Sequence, residues 1–167
     1  FADIKEKGYE ALWSVNDTSV FKASVKLDGI DFVDFSDLAD GYHTMTISVT
    51  DEVGHVTADS FDFTYDGTAP RIIITGVDDK SIVRNPFTMK IGLEDADDML
   101  TEIVINGKTI DPSQYQSTNS YEFQVENYGD YEVRVSARDT AGNVTSTYDS
   151  ATDEVFSFRL KEKTSPI

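Results

Sequence analysis

Apolar and polar residues alternate with a period of two along much of the chain. The alternation is clear in residues 9–17 (YEALWSVND) and again in residues 87–95 (FTMKIGLED). A period of two sends successive side chains to opposite faces, which is typical of a β-strand with one buried face. Trp13 and Ile91 fall at matching positions on the predicted inward faces. No stretch shows the 3.6-residue period of a long amphipathic helix, and the pattern therefore predicts an all-β chain.

Three blocks of this pattern occur twice. Residues 9–17 match residues 87–95 at an offset of 78, and residues 41–57 match residues 129–145 at an offset of 88. Each copy then ends with an aromatic strand, FDFTY in the first and FSFRL in the second, followed by a Thr-x-Pro sequence. A pattern that recurs at a fixed period is more typical of architecture than of chemistry.

The two copies predict two tandem domains, residues 1–69 and residues 70–167, with the first strand of the first domain short or missing. Because the offset grows from 78 to 88, the second copy carries ten more residues between Gly107 and Gly129. Their Pro, Ser, Asn and Gln content predicts a longer loop or an extra hairpin. Short strands separated by Gly, Asn and Asp turns predict a β-sandwich of about seven strands in each domain.

Charge and composition exclude several classes of partner. The 167 residues include 31 Asp and Glu against 14 Lys and Arg, a formal net charge of -17. Such a field repels phosphate backbones and anionic bilayers, so neither nucleic acid binding nor membrane insertion is predicted. The absence of cysteine excludes disulfides and thiolate chemistry. Because the chain begins with Phe1 and ends in TSPI, we expect a piece of a longer array of modules.

The run GDYEVRVSARDTAGNVT, followed by an aromatic strand and Thr-x-Pro, resembles the bacterial immunoglobulin-like domains of secreted and wall-attached proteins. The run GYHTMTISVTDEVGHVT, followed by FDFTYDGTAP, is similar. The resemblance covers almost the whole chain and implies two tandem immunoglobulin-like β-sandwiches at the cell surface or outside the cell. It supplies no catalytic residues. His55 departs from the pattern, since it stands where Asn143 keeps the usual residue.

The loop RDTAGNVTS has two interpretations. In the structural one, Asp139 caps a hairpin turn and the glycine takes a positive φ. In the functional one, Asp139 and Asn143 are calcium ligands. Because calcium requires six to eight oxygens, one carboxylate and one amide favour the turn. In the copy TDEVGHVTA the glycine is kept and the asparagine is not, as expected for a turn.

The acidic run that follows residues 87–95 is a second candidate for calcium. Asp95, Asp97 and Asp98 lie just after a predicted strand, where sandwich loops cluster and could pool ligands. A solvated acidic surface is the alternative interpretation, since the run lacks the spacing of a helical calcium loop. Apart from this calcium site, no cofactor is predicted.

Aromatic side chains in the longer segments of the second domain are candidates for ligand binding. Tyr115 and Tyr148 lie in segments longer than their counterparts in the first copy, so a glycan site would be expected there. Only His43 and His55 are present, which excludes a three-histidine zinc site. No nucleophile elbow or phosphate loop occurs, and no enzymatic activity is predicted.

The function predicted from the sequence is a non-catalytic spacer that positions neighbouring domains of a larger extracellular bacterial protein, including the accessory region of a secreted hydrolase. The alternative is an adhesion or carbohydrate-binding module, calcium-assisted or not, that recognises a glycan or host surface protein through second-domain loops.

Overall fold

The computed structural model describes Asp3–Ile4 and residues 21–164. The chain divides into two compact units, Phe1–Thr68 and Ala69–Ile167. The strand predicted for residues 9–17, with Trp13, lies outside the described residues, as does the terminal Ile167. Within the described part of the chain, no helix is long and apolar enough to cross a membrane.

The first unit forms a single sheet within the residues described. Its strands are β1 (Asp3–Ile4), β2 (Phe21–Leu27), β3 (Ile30–Asp31), β4 (Gly41–Asp51) and β5 (Val56–Tyr65). They are ordered β1-β5-β4-β2-β3, and β1 runs parallel to β5 while all other pairs are antiparallel. Its buried core cluster consists of Phe35, Met45, Phe63 and Tyr65.

The second unit forms two sheets. Its strands are β6 (Ile72–Thr75), β7 (Ser81–Val83), β8 (Phe87–Leu93), β9 (Met99–Ile105), β10 (Lys108–Thr109), β11 (Tyr121–Val125), β12 (Gly129–Arg138), β13 (Val144–Ser146), β14 (Tyr148–Asp149) and β15 (Glu154–Leu160). One sheet has the order β10-β9-β12-β15-β14, with β13 on β12 and β7 parallel to β15. The other has the order β11-β8-β6.

Side chains from both sheets bury each other in the second unit. Met89 and Ile91 of β8 belong to the same buried cluster as Ile103 of β9 and Val133 of β12, and each of them is fully buried. Two sheets that share one apolar layer form a sandwich. The prediction of an all-β, β-sandwich chain is therefore confirmed.

Alternate residues are also buried in β12, where Val133, Val135 and Ala137 are fully buried. In β4, Met45 is buried. The sequence identified these strands because each is long enough for its period to be read and has one face on a core.

The longer segment of the second copy contains a helical turn. The hairpin of β9 and β10, with its turn at Asn106 and Gly107, is not an extra one, because β2 and β3 form the corresponding hairpin of the first unit across Asp28 and Gly29. A 3₁₀ turn follows at Pro112–Gln114, with Asp111 as its N-cap and the Asp111 carboxylate accepting from the Ser113 N–H. The segment therefore has regular structure of its own, which a loop prediction did not foresee.

Candidate binding groove

The loop RDTAGNVTS is a closed turn built on Asp139. The Asp139 carboxylate accepts from the backbone N–H of Asn143 at 2.7 Å and from its side-chain amide at 2.8 Å. The Gly142 N–H donates to the Asp139 carbonyl, and Gly142 has a φ of 89°. Both carboxylate oxygens are thus used inside the turn, as the structural interpretation predicted.

The first unit contains the same turn with histidine in place of asparagine. The Asp51 carboxylate accepts from the backbone N–H of His55 at 2.8 Å, and His55 Nδ1 lies 2.9 Å from its second oxygen. These hydrogen bonds, led by the one from the His55 backbone, lower the pKa of Asp51. The histidine ring therefore replaces the amide as a donor, and the difference from the second copy leaves the turn intact.

The acidic run between β8 and β9 is organised locally. Asp95 accepts from the Asp97 N–H at 3.0 Å, and the Asp98 carbonyl accepts from the Asn119 amide at 2.5 Å. In the described residues no group of three or more His, Asp or Glu side chains is placed to hold a metal ion.

Tyr115 is not an exposed ligand-binding residue. Its side chain is fully buried in the core cluster, and its hydroxyl lies 3.4 Å from the Thr101 carbonyl. Burial raises the pKa of this phenol. The prediction that Tyr115 binds a ligand is therefore wrong, because a ring that is buried in the core of its own domain offers no face to a sugar. It instead anchors the inserted segment.

The Tyr148 side chain is half-buried and makes two contacts within the protein. The Arg134 guanidinium lies 3.9 Å from the centre of its ring, and its hydroxyl donates to Asp153 at 2.9 Å. The bond to Asp153 raises the pKa of the phenol. One ring face and the hydroxyl are thus occupied within the protein, which leaves little for a ligand.

In each unit, a side chain near the start of the long strand makes a hydrogen bond to the backbone carbonyl four residues earlier. In the second, the Tyr131 hydroxyl donates to the carbonyl of Asn127, four residues earlier, at 2.8 Å. In the first, His43 Nε2 lies 2.7 Å from the carbonyl of Ala39, also four residues earlier. A tyrosine bonded to the backbone a few residues upstream is a hallmark of immunoglobulin-like sandwiches.

His43 has an acceptor at each ring nitrogen. Nδ1 lies 2.6 Å from the Asp28 carboxylate, and Nε2 faces the Ala39 carbonyl. Since a carbonyl and a carboxylate can only accept, both contacts are hydrogen bonds when both ring nitrogens carry a proton, which is the imidazolium form. The bond to Asp28 raises the pKa of His43, and the same bond lowers the pKa of Asp28.

A groove of about 740 Å³ lies on the second unit, lined by both edge strands β10 and β11 and by the segment between them. Four aromatic residues line it: Tyr121, Phe123, Tyr128 and Tyr131. Side-chain amides come from Asn106, Gln114 and Asn127. The volume falls in the range of about 300–1,000 Å³ typical of small-ligand sites.

Aromatic packing holds the rings of the groove in place. Tyr131 stacks on Phe158 with ring centroids 5.0 Å apart and an angle of 4° between planes, and Phe123 meets Tyr131 edge-on at 6.3 Å. Such pairs contribute about 0.5–1.5 kcal/mol beyond burial. Two of the four aromatic rings of the groove, Phe123 and Tyr131, are therefore held by packing within the protein.

The two carboxylates of the groove are poor proton donors. A bond from the Ser113 N–H lowers the pKa of Asp111, and the Arg159 guanidinium, which binds Asp130 with two nitrogens, lowers the pKa of Asp130. A general acid needs a raised pKa. Neither carboxylate therefore has the raised pKa that a general acid needs.

Sequence reasoning missed the groove because it depends on two edge strands that alternation does not place side by side. The only signal was the inserted segment itself, which brings amides and an aromatic residue to one place. The sequence pointed to Tyr115, which is buried, whereas the adjacent Gln114 lines the groove.

No protein-family model matches the chain, and no curated protein matches it either. Among solved structures, the fibronectin(III)-like modules of CbhA from Clostridium thermocellum are similar, at 12% identity over 89% of this chain and 83% of that chain, with a TM-score of 0.39. The SGBP-B protein of the Bacteroides ovatus mixed-linkage glucan utilization locus, in complex with a mixed-linkage heptasaccharide, is similar at 18% identity over 83% of this chain and 37% of that chain, with a TM-score of 0.26.

Proposed function

We propose that the chain is a non-catalytic, load-bearing spacer of a larger extracellular bacterial protein, built from two immunoglobulin-like domains. One observation carries this proposal: in each unit a short strand near the start, β1 in the first and β7 in the second, pairs in parallel with the last strand. In the first unit Asp3 is paired with Thr64, and in the second Ser81 is paired with Phe158.

Parallel pairing between a strand near the start of a unit and its last strand affects how the unit responds to tension. When force acts on the start of the earlier strand and on the end of the last strand, the two strands move in opposite directions along each other. Their hydrogen bonds are then loaded together, in shear, and do not open one after another. This geometry supports a role in which tension passes along the chain.

In the second unit, further hydrogen bonds extend the pairing of β7 with β15 at both of its ends. Beyond the ladder, the Lys161 N–H donates to the Val83 carbonyl at 2.9 Å, and Arg84 donates to the Glu162 carbonyl at 3.1 Å. At the other end, the Ser157 N–H donates to the Asp79 carboxylate at 2.9 Å. Hydrogen bonds from side chains thus extend the contact beyond the three paired residues of β7.

Force spectroscopy of the chain between marker domains tests the proposal. Val83→Pro removes a backbone N–H from β7 and should lower the unfolding force of the second unit. Val83→Ala is the matched control, since it shortens the same side chain and keeps the N–H. An unfolding force that Val83→Pro leaves equal to that of Val83→Ala would contradict a load-bearing role for this pairing.

A second role is favoured by the groove between β10 and β11: we propose that the second unit is also a binding module. The support is a concave site with aromatic rings and amides. A screen of immobilised ligands for binding to the second unit tests this binding role. Substitution of residues that line the groove should abolish every interaction that the screen finds.

We propose no catalytic cofactor, and assign calcium at most a local effect at Asp95, Asp97 and Asp98. The Asp95 carboxylate is already an acceptor within its own turn. The melting midpoint should therefore be equal with calcium and with a chelator. A rise of several degrees with calcium would show instead that this loop binds the ion.

A further inference from the structure

We infer that the groove between β10 and β11 binds an uncharged glycan chain. This inference rests on the binding role proposed for the second unit and adds the class of ligand and the residues that recognise it. The inserted segment, which the first copy lacks, supplies the structure that separates this groove from an ordinary sandwich edge.

The inserted segment is anchored firmly enough to form part of a site. Ile110 and Tyr115 are buried in the core on either side of the 3₁₀ turn. The Asn119 amide donates to the Asp98 carbonyl, and its oxygen accepts from the Leu100 N–H at 3.1 Å. Gln114, between the two buried anchors, is therefore presented from a fixed piece of backbone.

The rings of the groove offer what the C–H face of a sugar requires. Tyr128 is 59% exposed, and Tyr121 and Phe123 are half-buried. A tyrosine ring combines a flat apolar surface with a hydroxyl at its tip. A sugar ring has the matching pair of properties, with C–H groups on a face and hydroxyls around its rim.

The amides of the groove supply the matching polar groups. Gln114 and Asn127 line it, and among the described residues neither side chain makes a hydrogen bond within the protein. A carboxamide both donates and accepts, as a sugar hydroxyl does. Ligand hydroxyls can therefore replace water on these groups without leaving a polar atom unpaired.

Charge selects the kind of glycan. Of the groove's two carboxylates, Asp130 is neutralised by Arg159, and Asp111 shares the groove with Lys108. The local balance is close to neutral, while the whole chain carries -17. A polyanion such as polygalacturonate is repelled by that field, whereas an uncharged polysaccharide is not.

Affinity gel electrophoresis of the full chain tests the inference. The gels contain uncharged polysaccharides (β-glucan, xylan, mannan or starch) or polygalacturonate. We expect retarded migration in at least one uncharged polysaccharide and none in polygalacturonate. Tyr128→Ala and Gln114→Ala should each weaken binding by roughly tenfold, as expected when one central contact is lost.

Tyr42→Ala is the matched control, because Tyr42 is 61% exposed and belongs to the first unit, whereas every residue that lines the groove belongs to the second. It should leave the retardation unchanged, and all three variants should keep the wild-type melting midpoint. Retardation that survives both groove substitutions would overturn the inference, and so would retardation by polygalacturonate alone.

A parallel selection of peptides against the chain separates this inference from the binding role on which it rests. Peptide binding that is lost in Tyr128→Ala, with no uncharged polysaccharide bound, would overturn the glycan assignment and leave the second unit a binding module. If neither ligand class binds, both are overturned, and the load-bearing role is unaffected.

Discussion

At the residue scale, two positions of the repeat are each filled by different residues that make the same contact. Asn143 and His55 each donate a side-chain N–H to the aspartate that closes the turn. Tyr131 and His43 each reach the backbone carbonyl four residues before them. At these two positions the fold requires a hydrogen-bond donor in the right place, whichever residue type supplies it.

This equivalence predicts which substitutions the turn accepts. His55→Asn and Asn143→His should each leave stability nearly unchanged, because the donor is kept. Asp139→Ala leaves the Asn143 donors without their acceptor and should cost about 1 kcal/mol. That corresponds to a midpoint roughly 4–8 °C lower for a domain of this size, measured by thermal melting. Equal losses for Asn143→His and Asp139→Ala would contradict the equivalence.

The imidazolium at His43 predicts how the first unit depends on pH. Its raised folded-state pKa adds stability that is fully present below about pH 6.5 and is lost as pH rises through the folded-state value. The lowered pKa of Asp28 adds stability above about pH 3.9 that is lost as pH falls. The pair should therefore contribute most between these limits.

Denaturation of the first unit at pH 6 and pH 9 measures the upper limit. The wild type should be less stable at pH 9, whereas His43→Tyr, which places the second unit's residue there, should change less between the two values. If the wild type is equally stable at both pH values, the ring is not held as an imidazolium. NMR titration of the His43 ring gives the same answer directly.

At the element scale, the length of a strand decides whether it can be predicted from the sequence. Long strands with one buried face, such as β8 and β12, are readable from their alternation. Strands of two or three residues, such as β1 and β7, are too short to have a period, so their parallel pairing with the last strand could not be predicted. The groove escaped prediction for the same reason, since β10 has only two residues.

Tyr115 links the inserted segment to the core, and this predicts the effect of removing it. Tyr115→Ala empties a fully buried site and should cost about 3–5 kcal/mol. Tyr115→Phe loses only a hydroxyl whose bond is 3.4 Å long, and should cost about 1 kcal/mol or less. Urea denaturation measures both losses.

Hydrogen exchange then locates the effect. In Tyr115→Ala, amide protection should fall first in the inserted segment and in the adjoining β10 and β11. Exchange confined to the distant β14 would show that Tyr115 does not anchor the segment. The control is Tyr148→Ala, which removes a half-buried ring outside the core cluster.

At the scale of the whole chain, each unit has its own buried cluster. That of the second unit draws on residues between Val77 and Leu160, and that of the first on residues between Phe35 and Tyr65. A chain segment that contains a complete core can fold alone. Residues 69–167 expressed separately should therefore fold and melt cooperatively.

Circular dichroism and calorimetry of that fragment check this expectation. Its melting midpoint should lie within a few degrees of the corresponding transition in the full chain. A fragment without near-ultraviolet signal or a cooperative transition would show that its core is incomplete. The alternation, the repeat and the turn residues were sufficient to predict the all-β sandwich, because each acts over a few neighbouring residues.

The segment that joins the units has a consequence for survival outside a cell. The Asp40 carboxylate accepts from the Gly67 N–H and the Thr68 hydroxyl, and the Arg71 carbonyl accepts from the Glu94 N–H. Only Ala69 and Pro70 lie between these fixed points. A protease needs backbone that is free to enter its active site, so even the basic Arg71 should resist trypsin in the folded chain.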